Sequence, residues 1–314
     1  MLVCAISEIS PANGQTGWQG GDKKDEWAGN NGKDNWVGGV APDGTGAWAR
    51  FGNLDSGLDG LDIDLKGNRT LGLLDVTRSN NFADFTLSSN AFTFNNGAAN
   101  SILRLLQGNS LTISSSINIG GNNTLELIQG STGTLTLSGQ INGAGKTFLR
   151  SGSGDLLLSG PLFGGVGTLF KQTGSGTTTL SGSAFQAEGL IENGRVDLNN
   201  TNTQAFSAGL TIGGAGNSAE VRLLNNDRLF NSQLVTVREL GNFNLNNYSQ
   251  SLNQVILRGG TIATGSGTLS LINGSNQRIT SKPLPIPRRF PANLLSDHSP
   301  TTSPLRTARQ QLIY

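Results

Sequence analysis

Few residues in this chain of 314 could carry out nucleophilic or metal chemistry. The sequence contains one cysteine, Cys4, and one histidine, His298. A cysteine–histidine pair would have to join the two ends of the chain, and a serine–histidine–aspartate triad would depend on His298 as its base. No group of cysteines and histidines has the spacing of zinc ligands. The sequence therefore predicts no catalytic residue, no metal ligand and no cofactor.

Four aspartates form the best alternative for a binding site: Asp55, Asp59, Asp62 and Asp64. Asp62 and Asp64 alternate with apolar residues, so both carboxylates would project from the same face of a strand. Carboxylate oxygens are ligands that Ca²⁺ prefers. However, Lys66 follows closely, and the calcium-binding sequence Gly-Gly-x-Gly-x-Asp is absent. We therefore interpret the aspartates as a solvated strand face and keep a calcium site as the alternative.

A carbohydrate-active enzyme, a polysaccharide lyase or glycosidase, is the alternative function. Such enzymes need carboxylates, or basic side chains with bound Ca²⁺, that converge on one face. The acidic strand around Asp62 is the best candidate for that role. The basic candidates do not recur at a fixed period: Arg222, Arg228, Arg238 and Arg258. We predict that the protein is not an enzyme.

The sequence contains a repeat of seven residues. The phrase Gly-Thr-Leu-Thr-Leu-Ser-Gly at residues 133–139 recurs, slightly changed, at 154–160 and 176–182, so that the copies start 21 and 22 residues apart. A looser copy occupies residues 267–274. A repeat of this length is typical of stacked structural units rather than of a globular domain with one unique core.

The repeat predicts a coil of short strands. Its leucines alternate with polar residues, which places them on one face of a strand, and the glycines at both ends suit sharp turns. One such strand buries only one face, so copies must stack to share a core. Nothing in the repeat has helical spacing. The predicted fold is therefore all-β: a right-handed, single-stranded parallel β-helix (a solenoid) with coils of about 21–22 residues.

The chain divides into three predicted regions. Residues 1–54 contain all four tryptophans among glycine, asparagine and aspartate, and we predict a cap over the N-terminal end of the solenoid rather than a sugar-stacking site. Residues 55–280 contain the alternating strands. Residues 281–314 contain six of the nine prolines and no glycine. Because closely spaced prolines cannot join a hydrogen-bonded ladder, we predict that this tail lies outside the solenoid and is poorly ordered, as a linker or a frameshifted segment.

Residues 169–182 resemble a known family repeat. They read Leu-Phe-Lys-Gln-Thr-Gly-Ser-Gly-Thr-Thr-Thr-Leu-Ser-Gly, which is similar to the autotransporter-associated β-strand repeat, also called the passenger-associated transport repeat. Residues 189–198 look like the second strand of that repeat. Two copies depart from the pattern: Arg150 replaces its lysine, and Thr178 replaces an inward leucine. The Trp-x-Gly-Gly sequence at 18–21 is similar to the segment that precedes such repeats, and the resemblance covers about residues 16–280.

This resemblance implies a function in surface display. Passengers of this family are the exported, surface-exposed parts of long bacterial proteins, so we expect an extracellular or cell-surface location and a non-catalytic role in structural display or adhesion. Surface glycans or other cell-surface molecules are the expected partners of a monomer. The start Met-Leu-Val-Cys-Ala-Ile is too short and lacks the basic residues of a signal peptide. We expect the export signal and the anchor to lie outside this chain.

Composition narrows the partners further. The formal net charge is +1, which provides no basic patch for nucleic acid. No apolar run approaches the roughly 20 residues of a membrane-spanning helix, so we expect no membrane insertion of this segment. The 45 glycines and 14% charged residues would also suit a disordered linker, but a linker has no reason to alternate its leucines.

Overall fold

The computed structural model contains only strands, turns and loops over the residues that it describes. These residues are 15–20, 25–28, 35–52, 60–77, 84–106, 108, 110–121, 124–130, 132–165, 167–200, 205–272 and 278–281. Cys4, Asp55, Asp59, His298 and the tail from residue 282 lie outside the described residues, as does the predicted boundary at residue 54.

The strands are short and follow one another closely along the chain. The first ten are β1 (Gln15–Gly17), β2 (Trp48–Phe51), β3 (Asp62–Asp64), β4 (Arg69–Leu71), β5 (Leu73–Val76), β6 (Phe85–Ser88), β7 (Ala91–Phe94), β8 (Ser101–Leu105), β9 (Leu111–Ile113) and β10 (Ser116–Ile119). The next ten are β11 (Thr124–Gln129), β12 (Thr134–Leu137), β13 (Ile141–Asn142), β14 (Thr147–Ser151), β15 (Asp155–Leu158), β16 (Leu162–Phe163), β17 (Leu169–Gln172), β18 (Thr177–Leu180), β19 (Glu188–Ile191) and β20 (Gly194–Leu198). The last nine are β21 (Gly209–Ile212), β22 (Ala219–Leu223), β23 (Leu234–Arg238), β24 (Gly241–Asn244), β25 (Gln250–Leu252), β26 (Gln254–Arg258), β27 (Thr261–Ala263), β28 (Leu269–Leu271) and β29 (Arg278–Ser281).

The chain visits three sheets in rotation. Sheet I contains twelve strands: β1, β2, β5, β8, β11, β14, β17, β19, β21, β23, β26 and β29. Sheet II contains ten strands: β3, β6, β9, β12, β15, β18, β20, β22, β24 and β27. The third side, sheet III, contains β4, β7, β10, β13 and β16, and later the pair β25 and β28. Through most of the stack, each turn of the chain thus adds a parallel strand to each side.

The predicted all-β parallel solenoid is confirmed, with about nine turns and a spacing of roughly 23 residues. The coil length varies more than the repeat in the sequence indicates. In sheet I, Phe148 pairs with Phe170, but Phe170 pairs with Gly189, so the second of these coils is shorter than the first. Leu73 pairs with Ile102, which defines a longer coil. Turns of different length absorb these differences, while the strands keep their register.

The leucines of the repeat form the core, as their alternation predicts. In sheet II one inward position is aliphatic on eight successive strands and at most 1% exposed: Ile63, Leu87, Ile113, Leu137, Leu158, Leu180, Leu198 and Leu223. The glycine that ends each phrase lies at the next corner. A β-carbon on Gly160 would collide with the carbonyl oxygen of Gly139 in the coil before it, so only glycine permits the coils to approach this closely.

The second strand predicted from the family resemblance is divided by a corner. Residues 189–198 contain part of β19, which belongs to sheet I, and all of β20, which belongs to sheet II. Glu192 and Asn193 separate the two strands, and Gly194 has a φ of 69°. A single uninterrupted strand was therefore the wrong interpretation, because the glycine of Asn-Gly turns the chain at this point.

An aromatic cluster closes the N-terminal end. Trp18, Trp27 and Trp36 are at most 1% exposed, and Trp18 and Trp36 form an edge-to-face pair with ring centroids 5.0 Å apart. The Trp36 indole nitrogen donates a hydrogen bond to the Trp27 carbonyl oxygen at 2.6 Å. These buried rings cover the first coil and are not accessible for stacking on a sugar. Trp48, which is half-buried, faces outward from sheet I in register with Leu73.

Candidate functional site

The acidic strand faces outward as predicted, and one of its two carboxylates, that of Asp64, is ion-paired within the protein. Asp62 is exposed, Asp64 is half-buried, and Ile63 between them is buried. The Lys66 ammonium lies 3.2 Å from a carboxylate oxygen of Asp64 and 3.6 Å from one of Glu26. The Lys66 backbone N–H also donates to Asp64 at 2.8 Å. This last bond is the main cause that lowers the pKa of Asp64 below its usual value, with further contributions from the Lys66 side chain.

The described residues contain no group of three or more histidine, cysteine, aspartate or glutamate side chains arranged to hold a metal ion. Asp62 and Asp64 provide two of the four aspartates considered for calcium, and the Lys66 ammonium already occupies the position next to Asp64 where a cation would bind. The geometry of this strand thus favours a solvated, ion-paired face.

Two of the basic candidates are held by interactions between neighbouring coils. Arg222 forms two hydrogen bonds to the Asp197 carboxylate, at 2.9 and 2.8 Å, and this bidentate contact raises the pKa of Arg222 above its usual value. Arg195 lies 3.1 Å from the same carboxylate. Arg228 donates to the carbonyl oxygens of Asn226 and Asn200. Arg222 and Arg228 thus stabilise the stack of coils instead of converging on a cleft.

The other two basic candidates, Arg238 and Arg258, pair in register on the outer face of sheet I. Two like charges side by side on adjacent strands repel each other, so this pair does not stabilise the stack of coils. An ion-paired group lies near the N-terminal end of the same sheet, where Arg104 donates two hydrogen bonds of 2.8 Å to the Asp75 carboxylate. Arg50 approaches Asp75 from the other side at 4.0 Å.

A polar cluster inside the core was not predicted from the sequence. Arg150 is fully buried, and its guanidinium donates to the carbonyl oxygens of Ser151, Gly152 and Gly154 at the corner between sheets I and II. Burial lowers the pKa of Arg150 to about 10, and the charge of Asp155 opposes this effect. The guanidinium thus provides hydrogen bonds to corner carbonyl groups that point away from solvent.

The structure does not place Arg150 in register with Lys171, the lysine of residues 169–182. Arg150 pairs with Gln172, and the lysine at position 171 pairs with Leu149. Lys171 faces outward and binds Glu192 at 2.9 Å, whereas Gln172 is fully buried and donates to the carbonyl oxygen of Gly176. The register between coils, which cannot be read from the sequence, decides which of two adjacent residues faces the core.

The same cluster explains the polar residue at Thr178. This side chain occupies the inward position of sheet II and is fully buried, as the repeat predicts for its leucine. Its hydroxyl donates to the amide oxygen of Gln172 at 2.7 Å. Gln172 and Thr178 therefore form a matched pair, because each satisfies a polar atom that would otherwise be buried without a partner.

The outer face of sheet III contains a column of uncharged residues. One outward position is occupied on five successive coils by Thr93, Asn118, Asn142, Phe163 and Gln186; we call these residues the neutral column. The amide nitrogen of Asn142 donates to the amide oxygen of Asn118 at 2.8 Å, and Gln140 donates to Asn142 at 2.6 Å. Phe163 is 38% exposed.

Comparisons of the chain with protein-family models, curated proteins and solved structures gave no match. In the described residues there is no helix with the length and hydropathy of a membrane span.

Proposed function

We propose that this chain is a non-catalytic passenger region of an exported, autotransporter-like bacterial protein, and that it acts in structural display and adhesion at the cell surface. One observation carries the proposal: the coils form a continuous stack, and several of the charged residues that would suit catalysis bind one another instead. Asp64 with Lys66 and Asp197 with Arg222 are examples of these pairs.

The architecture suits display because each coil adds length with few new kinds of contact. Strands in adjacent coils lie about 4.8 Å apart, so the twelve strands of sheet I span about 50 Å. Each coil contacts mainly its two neighbours, so length can increase without a new core. A rod of this kind presents the same kind of surface many times, and weak contacts with a repetitive partner then act together.

Surface display is tested with an epitope tag in the exposed turn at residues 214–217, between β21 and β22. We expect an antibody to label intact producing cells, and added protease to remove the tag. A cytosolic protein with the same tag is the control and should be labelled only after permeabilisation. If the solenoid also requires permeabilisation, surface display is wrong.

The non-catalytic role is tested with the purified chain on pectin, alginate and glucan substrates. We expect no product, because the paired charged groups named above do not supply a free acid and base on one face. Turnover that is lost in the Asp62→Asn or Asp64→Asn variant would show that the protein is an enzyme.

A further inference from the structure

The neutral column combines an exposed aromatic ring with a row of fixed amides. Among the described residues, Phe163 is the one aromatic side chain that is exposed. It lies in register with Asn142 in the coil before it, and Gln186 follows in the next coil, where its N–H donates to the Leu162 carbonyl oxygen at 3.0 Å. An aromatic face beside side-chain amides is the combination that binds the apolar face and the hydroxyl groups of a sugar ring.

The amides are held in place before any partner binds. Asn142 bridges two residues, since it accepts a hydrogen bond from Gln140 and donates one to Asn118. Within the described part of the chain, the amide nitrogen of Asn118 and the amide oxygen of Gln140 have no partner. Both can therefore bind a ligand, and little side-chain entropy is lost because the chain of amides is already ordered.

The surroundings of the column indicate an uncharged, extended partner. The residues two positions before each member are also uncharged, and most of them are small: Ala91, Ser116, Gln140, Pro161 and Ala184. Neither row contains a carboxylate or basic group that would select an anionic chain, and the exposed Glu188, two positions after Gln186, would repel one. The column repeats once per coil, about every 4.8 Å, which is close to the length of one pyranose unit.

We propose that the neutral column binds an uncharged polysaccharide chain that lies along the solenoid axis. One sugar ring stacks on Phe163, and neighbouring sugars form hydrogen bonds with Asn142, Asn118 and Gln186. This inference rests on the proposed adhesive function and assigns its contact surface to sheet III.

The test is affinity electrophoresis of the purified chain in gels that contain soluble mannan, dextran, amylose or arabinoxylan, with alginate as an anionic comparison. We expect at least one uncharged polysaccharide to retard the protein at both low and high salt. Phe163→Ala should weaken that binding about ten-fold or more, and Phe163→Tyr should retain it. Asn118→Ala and Asn142→Ala should each weaken it several-fold.

Leu234→Ala is the matched control, because Leu234 is 39% exposed and lies on the outer face of sheet I. This variant should bind like the wild type, and equal melting temperatures of the three variants Phe163→Ala, Phe163→Tyr and Leu234→Ala should exclude unfolding. The proposal is wrong if no uncharged polysaccharide binds, if only alginate binds in a salt-sensitive manner, or if Phe163→Ala binds as tightly as Leu234→Ala. If one of these binding results is obtained while the tag is labelled on intact cells, polysaccharide binding by the neutral column is wrong and surface display stands. If the tag is not labelled on intact cells, surface display is wrong.

Discussion

At the scale of single residues, Arg150 is the least expected feature of this protein. It occupies an inward position of sheet I, between Leu127 and Gln172 in the neighbouring coils. A buried guanidinium is costly unless its hydrogen bonds are satisfied. Here the corner carbonyl groups of Ser151, Gly152 and Gly154 accept hydrogen bonds from its two terminal nitrogens, while its Nε is buried without a hydrogen-bond partner. One coil later, the neutral side-chain amide of Gln172 donates to the corner carbonyl group of Gly176 in the same way.

We predict that Arg150→Gln is tolerated better than Arg150→Met. A glutamine can reach the corner carbonyl groups as Gln172 does, so the free energy of unfolding should fall by about 1 kcal/mol. A methionine leaves the carbonyl oxygens of Ser151 and Gly154 without the guanidinium, whereas that of Gly152 still accepts from the Gly176 N–H; this loss should cost about 3 kcal/mol. Urea unfolding of the two variants measures the difference. Equal losses would show that the guanidinium does not act through these hydrogen bonds.

The same residue makes a prediction about pH. Folding lowers the pKa of Arg150 from its ordinary, higher value to about 10, so above about 10 the unfolded chain binds more protons than the folded chain. Stability contributed by this group therefore rises with pH in that window. The free energy of unfolding of the wild type, relative to Arg150→Gln, should increase as the pH is raised above about 10. A constant difference across this range would contradict the lowered pKa.

At the scale of strands and coils, the register between neighbouring strands decides which side chains face the core. Period-two alternation means that a shift by one residue moves every side chain of a strand to the opposite face. The variable coil lengths show that turns tolerate insertions, while strands such as β14 and β17 stay aligned residue by residue. A whole coil should therefore be removable only if the register is kept.

We predict that deletion of residues 148–169 gives a shorter, folded solenoid. This deletion puts Phe170 in the place of Phe148, its partner in register. It therefore removes Arg150 together with its corner and retains the Gln172–Thr178 pair. Deletion of 148–168, one residue shorter, is the comparison: it leaves one extra residue beside the turn before β14, and it should melt at a lower temperature because that turn has to take up the residue. Circular dichroism and thermal melting compare the two. An unfolded 148–169 deletion would refute the nearest-neighbour description.

At the scale of the whole molecule, the solenoid has a closed N-terminal end. The rings of Trp18, Trp27, Trp36 and Phe51 pack together over the first coil. The opposite end of sheet II is β27, whose inward Ile262 is only partly buried. Because each coil contacts mainly its neighbours, a change at one end should be felt locally and fade along the stack.

We predict that Trp36→Ala loosens the N-terminal coils selectively. Loss of a fully buried tryptophan typically costs about 3–5 kcal/mol. Hydrogen exchange should therefore accelerate in β2 and β3, while β15 to β20 keep their protection. Trp48→Ala, at a half-buried outward position, is the matched control and should change exchange much less. Uniform acceleration along the chain would indicate one cooperative unit rather than a stack of coils.

The sequence alone determined which residues face inward in the repeated phrases and therefore the fold, because alternation and corner glycines are local properties of the chain. It could not determine the partners across coils, since these depend on coil lengths that vary along sheet I, as the pairings of Phe170 with Gly189 and of Leu73 with Ile102 show. For this reason three features were visible only in the structure. Gln172, and not Lys171, lies in register with Arg150 and faces the core; Asp197 binds Arg222; and the neutral column forms on sheet III. Contacts between residues so distant in the chain form only once the coils have stacked in register.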